Sequence, residues 1–349
     1  MTNTHISKGI AVTAAVLTAL SMTSAVSSAA SNVHPVANNV HHLDVSLASS
    51  YGGVWDNSFL DGLNAGESVA LILGPTGIPT PTETYVETAY NTYLIPSGRF
   101  DGGLENVYSL TTPELNYDTA NTLILDKNDI MDALLPLLRD GHDVTLFGYS
   151  QSTAAIGAAL NELYDTYGED VTGHVNFVMV GSSGSPFGIL HNMYESLPSW
   201  AQELLVFLAP YLSLDKEVLT FGADSPSAYV TPDNFQGDVF TLTGYGAGGL
   251  FGGAHAPDGY ASWSPTSFID GSWLPQLFGM FSTHEMYMGV SADEVSAALS
   301  NADTGNMVNY IDFAAHDGPL TLLLNSAINV GWVPDSFEPV ADFFSMLGI

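Results

Sequence analysis

Asp143 to Leu160 reads DVTLFGYSQSTAAIGAAL. Val144-Thr145-Leu146-Phe147 has the apolar content of a short buried strand, and Thr153 to Leu160 is a run of small helix formers. Between them stands Gly148-Tyr149-Ser150-Gln151-Ser152. A strand, a tight turn bearing a serine and then a helix form the setting of a nucleophile elbow, in which a strained backbone lifts the hydroxyl above the sheet edge. Strand and helix pass close to the serine there, so the positions two before and two after it must be small. Gly148 and Ser152 meet that condition. The stretch therefore points to serine-based acyl chemistry, and Ser150 is the candidate nucleophile.

Outward from the elbow, Glu67 to Leu73, polar for two residues and then continuously apolar, and Val175 to Val180 read as further buried strands, and Asp238 to Thr243 as another. Each of the first two ends in a Gly/Pro/Ser loop, Gly74–Pro81 and Gly181–Pro186. Thr82 to Tyr93 reads as a helix capped by Thr82, and Asp126 to Arg139 as an amphipathic helix with Pro136 as its kink. Residues 94–122 read as turn-rich. Strands alternating with helices imply an α/β fold, an open, mostly parallel sheet with helices on both faces. On such a sheet the site opens off the carboxyl ends of the strands, where the elbow and both loops lie. Trp200 to Leu208 is a strongly apolar helix pattern, and the segment 187–232 reads as a cap insertion with an acyl-binding wall. The alternative for that helix is ordinary core. No internal repeat is present.

Residues 1–30 read as a secretory signal peptide, with Lys8, an apolar run from Ile10 to Val26 and small residues at Ser28-Ala29-Ala30. Residues 31–66 show no clear periodicity and read as a loosely packed lead-in to a domain spanning 67–349. No later segment is long and apolar enough to span a bilayer. The chain has no cysteine, which excludes a disulfide framework. Asp and Glu number 37 against 5 Lys and Arg, a net charge of −32, so nucleic acid is excluded as a partner and anionic lipid surfaces are disfavoured. Asp56 to Glu67 has the length of a calcium loop. Its glycine stands one place late, however, and Leu60 occupies a ligand position, so it reads as a polar turn. No metal or cofactor is called for.

Val69–Pro81 (VALILGPTGIPTP), Val144–Ser152 (VTLFGYSQS) and Val175–Gly181 resemble the PE-PPE domain of mycobacteria and relatives. The resemblance runs from about Val69 to the C-terminus, without the N-terminal helical module of that family. It implies an α/β-hydrolase, cutinase-like fold and a serine esterase or lipase acting on acyl esters, with some relatives acting as acyltransferases on cell-envelope glycolipids.

A serine nucleophile needs a histidine base oriented by a carboxylate, in the chain order serine, acid, histidine. His284, in Phe281 to Tyr287, resembles the family's histidine block, with His255 and His316 as alternatives. His174 falls at the wrong edge of the sheet, and His191 falls in the cap. Asp258, in Asp258-Gly259-Tyr260-Ala261-Ser262-Trp263, resembles the acid motif, displaced by a Gly-rich insertion, and Asp270 is the reserve. The oxyanion donors are expected to be the N–H of Gln151 and a group of the first loop. Pro75 has no N–H, which leaves Thr76 or Gly77, with Thr76 preferred for its additional hydroxyl. The expected substrate is an acyl ester or lipid. Transfer of the acyl group to a glycolipid, and a non-catalytic lipid-binding envelope protein, are the alternatives.

Overall fold

Period-two alternation of apolar side chains along each strand sends odd and even residues to opposite faces, and here both faces are buried. The structure is a computed structural model that describes residues 41–43, 63–64, 66–114, 119–188, 231–246, 256–263 and 273–348, with isolated positions at 192, 199 and 200. The expected signal peptide, most of the lead-in and cap, and His191, His255 and Asp270 lie outside the described residues.

The described strands are β1 (His41–Leu43), β2 (Val69–Ile72), β3 (Val107–Leu110), β4 (Val144–Tyr149), β5 (Val175–Val180), β6 (Gln236–Gly244) and β7 (Val308–Ala314). They form one seven-stranded sheet in the order β1-β3-β2-β4-β5-β6-β7. Every neighbouring pair is parallel. The helices are α1 (Glu83–Ala89), α2 (Thr119–Arg139), α3 (Gln151–Tyr167), α4 (Trp273–Phe281), α5 (Ala292–Asn301), α6 (Pro319–Asn329) and α7 (Glu338–Leu347). An open parallel sheet covered on both sides is the α/β architecture expected from the sequence.

One face carries Val69, Leu71, Val144, Leu146, Val175 and Phe177, packed against Ile130, Leu134 and Leu137 of α2 and Ala155, Ala159 and Leu163 of α3. The other carries Ile72, Phe147, Val178, Phe240 and Ile311 against Tyr85, Val86 and Tyr93 and against Val295 and Leu322. Burying each such Leu, Ile or Phe contributes about 1.5–3 kcal/mol, which lets a chain without disulfides hold its fold.

Local chemistry sets the element ends. Thr82 caps α1 as expected, its hydroxyl accepting from Tyr85 N–H at 3.3 Å. α1 then widens into a π-helical turn, Tyr90–Leu94. α2 starts seven residues before the expected Asp126 and runs through Pro136 to Arg139. Two strands were not legible in sequence. β3 lies inside the stretch read as turns, and β1 lies inside the lead-in, too short to show a period. β7 extends the sheet beyond the strands named above.

At the amino edge of the sheet, away from the elbow, Arg99 forms a fork onto buried Asp238, with Nε and Nη2 each 2.9 Å from a carboxylate oxygen. Asn309 Nδ2 adds a third donor at 2.6 Å. A planar guanidinium suits this two-pronged contact, which ties the turn after α1 to β6.

Candidate active site

β4 ends at Tyr149 and α3 begins at Gln151, so Ser150 is the whole turn. Its φ of 59° and ψ of −118° lie in a region that residues with a Cβ rarely adopt. Holding such a backbone costs of order 1–3 kcal/mol and persists only where the surroundings enforce it. They do so here. Ser150 N–H donates to Val180 O at 3.1 Å, pinning the turn to β5. A Cβ on Gly148 would come within 2.6 Å of Ile156 Cδ1 and 3.3 Å of the Ser152 carbonyl carbon, so a side chain here would crowd the approach of α3 to the strand. Ser152 fits because its hydroxyl accepts from Tyr149 N–H at 2.9 Å and donates to Tyr149 O at 3.0 Å.

His284 arrives from a 3-10 turn, Thr283–Gly289. Its Nε2 lies 2.8 Å from Ser150 Oγ and its Nδ1 lies 2.8 Å from Asp258 Oδ2. In the neutral tautomer that fits both contacts, Nδ1–H donates to the carboxylate and Nε2 accepts the serine O–H. Asp258 is 0% exposed and His284 5%. The Asp258 charge is met by Tyr260 N–H at 2.8 Å and Ala261 N–H at 3.3 Å on Oδ1. Tyr287 OH completes the set at 2.8 Å on Oδ2.

Burial pulls the His284 pKa down. The charge of Asp258, its hydrogen bond and the charge of Glu285 outweigh that pull, so the pKa stands above the ordinary imidazole value. Glu285 is itself raised, first by burial.

The imidazole is held from several sides. Tyr149 OH donates to His284 O, and Thr283 Oγ1 donates to Ala256 O at 2.5 Å. Beneath the ring lies Gly181, with φ 63°, at the carboxyl end of β5. A Cβ there would stand 3.0 Å from His284 Cε1 and 3.0 Å from Tyr287 Cε2. The Tyr260 ring lies over the imidazole, with centroids 4.6 Å apart.

The loop after β2 narrows the second oxyanion donor. Gly77 N–H already donates to Glu114 O at 2.9 Å, which leaves Thr76 of the two candidates. The Thr76 hydroxyl donates to Gln151 Oε1 at 2.7 Å, so it ties the loop to the elbow and its N–H is the group left to act as donor. The N–H of Gln151, in the first turn of α3, has no intrahelical acceptor.

The structure thus brings Ser150, His284, Asp258, Gln151 and Thr76 together. His316 stands exposed beyond the end of β7, with its N–H on Glu294, and His174 pairs with Asp143 at 2.7 Å on the surface. Three tyrosines at this site, Tyr149, Tyr260 and Tyr287, are not singled out by sequence reading. Their positions relative to Asp258 and His284 are the available signal. Among the described residues no group of His, Cys, Asp and Glu is arranged to hold a metal ion, and no helix is long and apolar enough to cross a membrane.

Residues 105–206 match the PE-PPE domain. The matched segment contains Ser150 and ends before Asp258 and His284. The chain is 24% identical over 292 residues to the protein named esterase PE16 of Mycobacterium tuberculosis, covering 80% of this chain and 47% of that one. It is also 24% identical over 281 residues to the uncharacterized PPE family protein PPE28 of the same organism, covering 76% of this chain and 37% of that one. The chain therefore spans less than half the length of these PE and PPE relatives. Among solved structures, a cutinase-like protein from Cryptococcus sp. matches with a TM-score of 0.26 and 18% identity, covering 35% of this chain and 56% of the other. The phospholipase PlaB from Legionella pneumophila matches with a TM-score of 0.27 and 15% identity, covering 51% and 39%.

Proposed function

We propose that this PE-PPE-domain protein is an exported serine esterase that hydrolyses carboxylic, fatty acyl esters through an acyl-enzyme. The observation that carries the reading is the unbroken relay from Asp258 through His284 to Ser150, 2.8 Å at each step, built on a serine held at positive φ.

In this mechanism Ser150 Oγ attacks the ester carbonyl carbon as its proton passes to His284 Nε2. The carbonyl π electrons move onto oxygen, and the N–H groups of Gln151 and Thr76 receive that charge. Donors aimed at a developing oxyanion typically contribute about 3–4 kcal/mol each to lowering the barrier. The intermediate collapses, the bond to the alcohol oxygen breaks, and the alcohol leaves with the proton from His284. A water molecule then gives its proton to His284 and attacks the acyl-enzyme, releasing the acid and restoring Ser150. Asp258 stays ionised throughout and stabilises the imidazolium.

Preference for fatty acyl groups is supported by α4, which adjoins His284 in sequence. This helix has no charged residue and leaves Leu274 and Phe278 more than half exposed, one turn apart. Export is supported by the apolar run Ile10 to Val26 and the small residues at Ser28-Ala29-Ala30.

The test is hydrolysis of a p-nitrophenyl ester series by the chain and by Ser150→Ala, with products followed in the presence of a sugar acceptor. Hydrolysis lost in Ser150→Ala supports the proposal. Equal rates from both proteins refute it, and ester formed on the acceptor in place of free acid replaces hydrolysis with acyl transfer.

A further inference from the structure

We infer that Tyr287 is a positioning residue for this reaction: its hydroxyl fixes the Asp258 carboxylate and sets how strongly that carboxylate supports the protonated His284. The inference rests on the esterase reading of the same site.

The hydrogen-bond directions are determined by chemistry. Leu242 N–H lies 3.0 Å from the phenol oxygen and can only donate, so the oxygen accepts there. The phenol proton is thereby left for Asp258 Oδ2, 2.8 Å away. That is the oxygen that receives His284 Nδ1–H. Tyr287 and His284 therefore share one acceptor atom. The Leu242 N–H satisfies only the accepting side of the phenol, and its buried proton still needs an acceptor. Here the proton is aimed at the carboxylate.

The aim is fixed from the other side as well. Tyr287 is fully buried, its carbonyl accepts from Tyr93 OH at 2.6 Å, and its ring meets Tyr149 edge-on at 5.6 Å. Gly181 closes the space beneath both Tyr287 and His284. The groups facing the His284–Asp258 pair are Glu285 and Tyr287 on the same turn as His284, Tyr260 from the Asp258 loop, Tyr149 from β4 and the Ser150 hydroxyl.

A proton donated to Oδ2 draws charge away from the His284 bond. Tyr287→Phe returns that charge to Oδ2, so the imidazolium is favoured and the acid limb of kcat/KM moves to higher pH by about 0.5–1 unit. With the carboxylate less firmly held, kcat falls about 10-fold while KM changes less than about two-fold.

The experiment measures kcat and KM for p-nitrophenyl butyrate from pH 4.5 to 9 in three variants. Tyr287→Phe is the test. Tyr85→Phe is the control, since it removes a fully buried phenol bond, to Leu73 O at 3.2 Å, that touches neither Tyr287 nor Asp258, and its limb is expected to stay with the unmodified chain. The third carries 2,3-difluorotyrosine at position 287 alone. It keeps the packing but donates more strongly, and its limb is expected to move to lower pH. This third variant decides the matter alone if Tyr287→Phe does not fold. Limbs that coincide in the folded variants overturn the inference and leave the esterase reading standing. Absence of ester hydrolysis by the unmodified chain overturns both.

Discussion

Asp126→Asn should make this protein more stable in weak alkali, by an amount that builds up as pH rises from about 4 to about 8. Asp126 and Asp129 lie on the buried face of α2, and Glu114 enters beside them at φ 43°, a left-handed conformation for a residue with a full side chain. Glu114 N–H donates to Asp126 Oδ1 at 3.4 Å, and Thr112 OH donates to Glu114 Oε1 at 3.1 Å. Glu114 Oε2 and Asp126 Oδ2 are buried without a partner among the described residues. Burial, more than the neighbouring Asp129 charge, pushes Asp126 from 3.8 up to about 8, against the lowering effect of the Glu114 N–H. Glu114 is raised well above the carboxylate range, first by burial and then by Asp126.

An acid raised on folding binds its proton more tightly in the native state, so stability falls as pH rises between the unfolded and folded values. For Asp126 that window runs from about 4 to about 8, with a slope approaching 1.4 kcal/mol per pH unit, or on the order of 3 kcal/mol between pH 5 and 7. The asparagine keeps the shape and the Oδ1 acceptor but has nothing to ionise. Urea unfolding at pH 5, 6, 7 and 8 should show the two proteins diverging, with the variant the more stable at pH 8. Parallel stability curves would refute this account of the cluster.

Gly181→Ala should lower kcat by about 10–100-fold. The new methyl meets the His284 ring at 3.0 Å and imposes positive φ on alanine, with a stability loss of about 1–3 kcal/mol visible in the melting curve. Unchanged kcat would show that His284 is not confined from below. Arg99→Ala leaves Asp238 buried with Asn309 as its remaining side-chain donor, and should cost about 3–5 kcal/mol in urea unfolding while kcat of the folded fraction is kept, since the pair lies at the far edge of the sheet. A loss under 1 kcal/mol would contradict it.

How much of this was legible beforehand follows from how local each signal is. The elbow is encoded within five residues, because the tight turn dictates which side chains fit beside it, and Gly148 and Ser152 announce that geometry. Asp258 and His284 are far from Ser150 in sequence, so chain order and family resemblance located them where periodicity could not. Tyr287 stayed hidden because its partners, the Asp258 carboxylate and the Leu242 N–H of β6, lie far away in sequence, which no local pattern records. Glu114, Asp126 and Asp129 read as ordinary solvated carboxylates in so acidic a chain, and they are buried because α2 turns Asp126 and Asp129 inward beside Glu114. Short strands failed for a related reason. Val107–Leu110 has four residues, fewer than a clear alternation needs, and its fully buried pattern comes from neighbours on both sides.

The Ser150–His284 pairing is tested most directly by reacting the folded chain with a fluorophosphonate and mapping the adduct by mass spectrometry. The account predicts a single adduct on Ser150, absent in Ser150→Ala and slowed at least about 100-fold in His284→Ala. No adduct on Ser150, or one that forms at the same rate without His284, would contradict it.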